Sequence, residues 1–388
     1  MSAPRGLFAL APLANHFPAL HGVRVLAIIL VVQFHVTSAF VDEKLPLSLG
    51  FVAWSWSMFF GMDLFFILSG FLIGTMILHA EETGEGRGVL RFWWRRAFRI
   101  FPLYYVSLTA LALLHPLSAI QRHNLPFEFA YLTNYLYVLR STTTMMWGWS
   151  LCVEEHFYLV VPFVMMALAA VRSPRARLAI LAVLFASALF VRLGILSSMK
   201  LPWSEADFAQ QVYIRTHTRY DTLVAGVALA FVQRHHRDAV RRWVGKGWVR
   251  ALVAVHVLVC LAYLVRRPPE LGAWLVSRCF AWGTVSSVMY LPLLLVVMNH
   301  DGALTRLLSR PAFLKVATLG YGIYLWHIPV LEGLVLPLTK RLSALGAAPP
   351  VIWVATLAVL LVVTTGVAYL AHLLVEKPAL RLRDRWAR

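Results

Sequence analysis

Charge is what this chain has least of. Of its 388 residues only 14% are Asp, Glu, Lys or Arg, against about 25% in an average soluble domain. Acids are scarcer still, 18 against 36 Lys and Arg. Polar stretches long enough for an independent soluble domain are absent, and no repeat of 20 to 50 residues is evident. Cysteine is limited to Cys152, Cys260 and Cys279, all in apolar runs and without metal-ligand or disulfide-framework spacing, so they read as core thiols. These shortages exclude a disordered chain and a disulfide-stapled scaffold, and they argue against an ordinary soluble enzyme.

What fills the space is apolar: 60% of the residues, with a mean hydropathy of +0.70. That much apolar surface must face something other than water, which makes a multi-pass membrane protein the expectation. Ten stretches approach the length of about 20 residues needed to span a bilayer: residues 22–40, 52–78, 100–114, 147–171, 178–196, 220–232, 251–265, 274–298, 316–336 and 351–375. The fold class expected is therefore all-α integral membrane. The domain plan is an N-terminal arm over 1–20, a transmembrane domain over 21–376 and a basic tail over 377–388. An apolar run at 7–13 follows Arg5, but Pro12 shortens it and no small-residue cleavage site follows, so it reads as part of the arm.

The net charge of +18 would suggest nucleic acid on a soluble protein; on a membrane protein it reports orientation. With ten spans, 24 of the Lys and Arg fall on the side that holds both termini, 11 on the other, and Arg278 inside a span. That ratio places both termini in the cytoplasm.

A charged side chain inside a span costs at least about 2.5 to 3.5 kcal/mol, so each one is a site candidate by default. They are His35, Asp63, Glu154, Glu155, Asp221, Arg278, His327 and Glu332, with His156 beside the carboxylates. Their bland alternative is a polar pair that locks two helices together. Arg24 and His35, eleven residues apart, project from one helix face about 16 Å apart along the axis. This suits a long ligand with anionic groups at one end and its reactive atom at the other. Arg95, Arg96 and Arg99 lie among aromatics in the following cytoplasmic segment. Arg96 and Arg99 could grip one phosphate, or the segment could be an interfacial belt. Glu154 and Glu155 match the depth of His35 and are the favoured partners of its imidazole, with Asp63 the second choice. The sixth stretch is only 13 residues, about 20 Å long. Arg219 and Asp221 at its end are expected below the surface, paired or lining a wet cavity. Tyr321, Tyr324 and His327 recur at i, i+3, i+6 and form either an acceptor-facing wall or inter-helix hydrogen bonds.

Seven strings, in order and covering nearly the whole chain, resemble the acyltransferase 3 family of integral-membrane O-acyltransferases. They are Arg24-x10-His35, GMDLFFILSGFL (61–72), RRAFRIFPLYY (95–105), WSLCVEEHFYLVVP (149–162), RYDTLVAGVALA (219–230), YGIYLWHIP (321–329) and VEKPALRLR (375–383). One departure is His156, where the family usually has Gln. The resemblance implies a stand-alone form, without a periplasmic esterase-like domain, in the cell inner membrane. It implies transfer of an acyl group, most commonly acetyl, from cytoplasmic acyl-CoA as co-substrate to a hydroxyl of a carbohydrate, glycolipid or small-molecule acceptor. No metal and no nucleic acid are implied. Carried over, His35 is the catalytic histidine and Arg24, Arg96 and Arg99 hold the donor's phosphates, with Arg95 auxiliary. His35 would act as general base, with Glu154 or Glu155 orienting its ring; an acyl-histidine intermediate is a variant. The competing class is a proton-coupled transporter or exporter, since buried His and carboxylates also build proton relays. Paired broken helices, the feature that would favour it, are not evident in the sequence. A membrane scaffold without chemistry leaves the Arg24 and His35 stripe unexplained.

Overall fold

A computed structural model describes residues 17–83, 88–199, 204–268 and 270–386. The expected arm over 1–20 lies outside the described residues as far as residue 16, as does the end of the basic tail at 387–388. The described residues are helical and contain no strand. In chain order the helices are α1 (Ala19–Asp42), α2 (Leu49–Trp56), α3 (Phe60–Thr83), α4 (Gly88–Leu114), α5 (Ala119–Phe129), α6 (Trp149–Ala169), α7 (Pro174–Ser198), α8 (Glu205–Val212), α9 (Thr216–His235), α10 (Arg237–Gly245), α11 (Gly247–Val265), α12 (Leu271–Phe280), α13 (Ser286–Asn299), α14 (Ala303–Leu308), α15 (Pro311–Val330), α16 (Leu336–Ala344), α17 (Pro349–Ala371) and α18 (Lys377–Trp386).

Among the described residues, nine helical stretches are long and apolar enough to cross a membrane. Eight coincide with expected spans, and the ninth corrects one: the span expected at 100–114 is the C-terminal part of Val89–Leu114. The arginines of the preceding segment therefore belong to the helix itself and not to a loop. The tenth expected span is corrected too. It is not a short stretch of 13 residues but the 20-residue α9, about 30 Å long. Its hydropathy is low because it is enclosed by protein: thirteen of its residues are buried, Arg219, Asp221 and Gln233 among them.

The helices group into two units, Met1–Met62 with Ala97–Ser107 and Asp301–Arg388, and Asp63–Arg96 with Leu108–His300. In the first unit α1 and α15 run parallel. A side chain at Gly320 would press on Ile28, and the rings of His35 and His327 meet. Both contacts recur after seven residues in each helix, so one face of α1 follows one face of α15. α17 packs on α15 through Gly322 and Ala368.

In the second unit α9 is central. Ser187 Oγ bonds Tyr220 Oη at 2.6 Å and Arg192 donates to the Thr218 carbonyl at 2.6 Å, which makes α7 antiparallel to α9. At the far end Gln233 and Asn299 exchange two amide hydrogen bonds of 3.0 Å, so α9 ends level with α13. α9 thus runs alongside α7 and α13. α3 meets it where Gly70 faces the Leu223 carbonyl and Gly226 faces the Ile67 carbonyl; a Cβ on either would stand about 2 Å from that oxygen. Gly70, with no side chain, thus allows the close helix approach. The three cysteines are free and buried.

Candidate active site

In the first unit the site grows from α1. This helix is continuous through Arg24 and His35, so the expected stripe exists. Arg24 and His35 are both half-buried. His35 and His327 each lie sixteen residues past the first residue of their helices, Ala19 and Pro311, which puts the two rings at one depth. Their centroids are 5.0 Å apart at 49°. His327 is fully buried, and its Nδ1 is fixed by the Tyr324 carbonyl at 2.6 Å. A carbonyl only accepts, so Nδ1 carries a proton and, in the neutral ring, Nε2 holds the lone pair. Tyr321 donates to the Ile100 carbonyl at 3.0 Å and Tyr324 is buried. The Tyr321, Tyr324 and His327 stripe is therefore inter-helix bonding plus one imidazole facing His35. Arg99, half-buried, also belongs to this unit.

A polar chain that the sequence reading missed flanks His35. Gln33 donates to the Ser55 carbonyl at 3.3 Å and accepts from Ser55 Oγ at 2.7 Å; Ser55 Oγ meets Thr37 Oγ1 at 2.6 Å, and Trp353 donates to Thr37 at 3.0 Å. All four are buried, and their bonds fix α1 on both sides of His35. The available signal was Gln33 and Thr37 at i, i+4 on either side of His35.

In the second unit Glu154 and Glu155 stand on α6 beside Tyr158. Arg96 of α4 places its guanidinium carbon 5.3 Å from the Tyr158 ring centre, within electrostatic reach of the Glu155 carboxylate. Trp93 donates to the Tyr158 carbonyl at 3.0 Å, and Tyr158 shares a short hydrogen bond with Ser69. Glu155 Oε1 is buried without a hydrogen-bond partner. Arg96 thus stands level with the middle of α6, deeper than a loop position would put it, whereas Arg95 is exposed.

Asp63 does not stand as a free acid. Its carboxylate accepts from Arg219 and from Ser286 Oγ, and all three residues are buried. Arg219 and Asp221 are buried and paired, the first of the two expectations for them, though not with each other. Arg219 pairs with Asp63, and Asp221 with Arg192 at 2.8 Å. The reason is rotational: residues two apart on a helix point about 200° from one another. Arg192, which lies within the expected span 178–196, spends its remaining donors on the Cys279 and Thr218 carbonyls and on Thr284 Oγ1.

These pairs surround a broken helix. Between α12 and α13, Trp282 and Gly283 leave helical geometry, Gly283 at φ +96°. A Cβ there would meet the Asp221 carboxylate at 2.4 Å. The carbonyl end of α12 faces the Arg192 cation, and the amino end of α13 faces the Asp63 anion through Ser286. Each charge complements a helix end. Of the remaining intramembrane charges, Arg278 donates to the Leu264 and Arg266 carbonyls at the end of α11, and Glu332 is exposed. No cluster of three or more His, Cys, Asp or Glu able to hold a metal occurs among the described residues.

The fold is that of a polytopic all-α membrane protein with imidazoles, carboxylates and arginines held inside its helices. A family model described as an acyltransferase domain, Acyl_transf_3, matches residues 17–373, and the chain belongs to that family. It is 26% identical over 383 residues to the peptidoglycan O-acetyltransferase OatA of Listeria monocytogenes, covering 94% of this chain and 56% of that protein. It is 26% identical over 386 residues to the "Putative peptidoglycan O-acetyltransferase YrhL" of Bacillus subtilis, covering 94% and 55%. The chain thus spans about half the length of these relatives. No solved structure matches it.

Proposed function

We propose that this protein is a membrane O-acyltransferase that moves an acyl group, acetyl in the first instance, from cytoplasmic acyl-CoA to a hydroxyl of a carbohydrate or related acceptor. The observation that carries this reading is the His35 and His327 pair, two imidazoles at one depth on parallel helices, one with its tautomer fixed. His35 accepts the proton of the acceptor hydroxyl as that oxygen attacks the thioester carbonyl. The carbon–sulfur bond breaks, an ester forms, and the proton passes from His35 to the departing thiolate. His327 orients His35, the part that the sequence reading gave to Glu154 or Glu155. Arg24 and Arg99, both in the first unit, hold the donor's phosphates. The family match and the relatives named as O-acetyltransferases support the reaction class. The basic-residue asymmetry supports an inner-membrane protein with both termini cytoplasmic.

The test is acyl-CoA turnover by the full-length protein in nanodiscs. His35→Ala should lower kcat by about 100-fold or more, the usual worth of a general base, while the protein inserts normally. Retained turnover by a well-inserted variant would sink the proposal. Arg99→Ala should chiefly raise the donor KM, and His327→Gln should lower kcat with that KM unchanged.

A further inference from the structure

Where α6 and α9 begin, three nitrogen-bearing side chains converge on Tyr135. His217 stacks on its ring at 5.8 Å and 23°, with Nδ1 3.3 Å from the phenol oxygen. The guanidinium carbon of Arg215 lies 5.4 Å from the same ring centre, and His156 is tilted against it at 5.9 Å. His156 Nδ1 meets Thr216 Oγ1 at 2.7 Å, and that oxygen also accepts from Asn134 Nδ2 at 2.8 Å. The cluster is built and not fortuitous: Asn134 is wholly buried beneath it, with Oδ1 lacking a hydrogen-bond partner. It is also open, since Tyr135 is 42% exposed and His217 is exposed.

Its charge is one-sided. Among the described residues, none of the hydrogen bonds, ion pairs or ring contacts of Tyr135, His156, Arg215 and His217 involves a carboxylate. Arg215 has spent only Nε within the protein, on the Gln210 carbonyl at 3.0 Å. A guanidinium held against a half-exposed ring, beside an imidazole and with no counter-charge, is suited to an anion from outside.

We propose that this cluster docks the acceptor and that the acceptor is a glycan bearing an anionic group, a carboxylate or a phosphate. The proposal rests on the acyltransferase reading above, in which the end of the second unit opposite α10 faces outward. Arg215 and His217 take the anionic group, Tyr135 supplies the apolar edge for the sugar, and His156 holds the platform to α9 through Thr216.

The test is binding of three probes to the full-length protein in nanodiscs without donor: a trigalacturonate, its carboxyl-reduced neutral counterpart, and a neutral trisaccharide 1-phosphate. At least one charged probe should bind about tenfold or more tightly than the neutral one. Preference for the uronate indicates a carboxylate on the glycan; preference for the phosphate indicates a phosphate-linked one. Arg215→Gln and His217→Gln should each remove most of the preference. Arg215→Lys should keep part of it, which separates lost charge from lost fold. Equal binding of charged and neutral probes, or a preference unchanged in Arg215→Gln, overturns the proposal. CoA binding is measured alongside. A protein that prefers the charged glycan but does not bind CoA overturns the donor assignment above while leaving the cluster as an anionic-glycan site.

Discussion

Asp63 and Arg219 are each stable in the interior only because the other is there. Removing one strands a buried charge, a change that typically costs about 3–5 kcal/mol, whereas replacing both by apolar groups of similar volume is often neutral or better. Arg219→Met should therefore sharply reduce the yield and thermal stability of the detergent-solubilised protein, and Asp63→Leu with Arg219→Met should recover much of the loss. A double variant no more stable than the single one would assign Arg219 a role beyond its pair. Glu128, on α5 outside the spanning helices, is a buried carboxylate of another kind. It accepts from the backbone N–H groups of Thr144 at 2.7 Å and Met145 at 2.9 Å. Burial outweighs these two bonds and raises its pKa above the usual carboxylate value. The folded state therefore binds a proton more tightly than the unfolded one. This contribution to stability is full below the unfolded pKa, about 4.3, and is lost as pH rises through the folded value. Wild-type Tm should fall more steeply over that rise than the Tm of Glu128→Gln. Parallel profiles would show that Glu128 does not titrate differently on folding.

At the scale of elements, two arginines counted as orientation charge, Arg177 and Arg250, and the intramembrane Arg278 prove to be helix caps. Arg177 donates to the Val171 and Ala169 carbonyls behind α6, Arg250 to Val244 and Gly245 at the end of α10, and Arg278 to Leu264 and Arg266 behind α11. In each case the next helix supplies the cation that satisfies carbonyls the preceding one leaves open. Arg250→Gln should cost about 0.3–1 kcal/mol, read as a small drop in Tm with turnover retained. The break between α12 and α13 is far less forgiving. Gly283→Ala places a Cβ against the Asp221 carboxylate and holds a side chain at φ +96°. The backbone strain alone is about 1–3 kcal/mol, so this variant should lose most folded protein. Normal stability would mean that the break can be rebuilt without the Asp221 contact.

For the whole molecule, the decisive count is whether α9 crosses the bilayer, because one crossing more or fewer reverses the side of everything after it. With α9 crossing, positions 140 and 241 lie on opposite sides. Arg140→Cys should react with an impermeant maleimide added to intact cells, and Arg241→Cys only after lysis, against a low background from the three buried native thiols. Labelling of both from outside would overturn the ten-span orientation.

The sequence by itself determined the solvent, the helical class and the family, because hydropathy and motif order are properties of the chain that need no knowledge of contacts. It also determined the Arg24 and His35 stripe, since both residues share one helix whose pitch sets their spacing. The extent of α9 was hidden because hydropathy measures fitness for lipid, and this helix is surrounded by protein. Which charges meet was equally hidden. His35 faces His327, Asp63 meets Arg219 and Asp221 meets Arg192 across separations of 292, 156 and 29 residues, and several partners were available at similar depth. Only the rotation and register of packed helices choose among such partners, and those are set by side-chain packing at contacts such as Gly70 on α9 and Gly320 on α1.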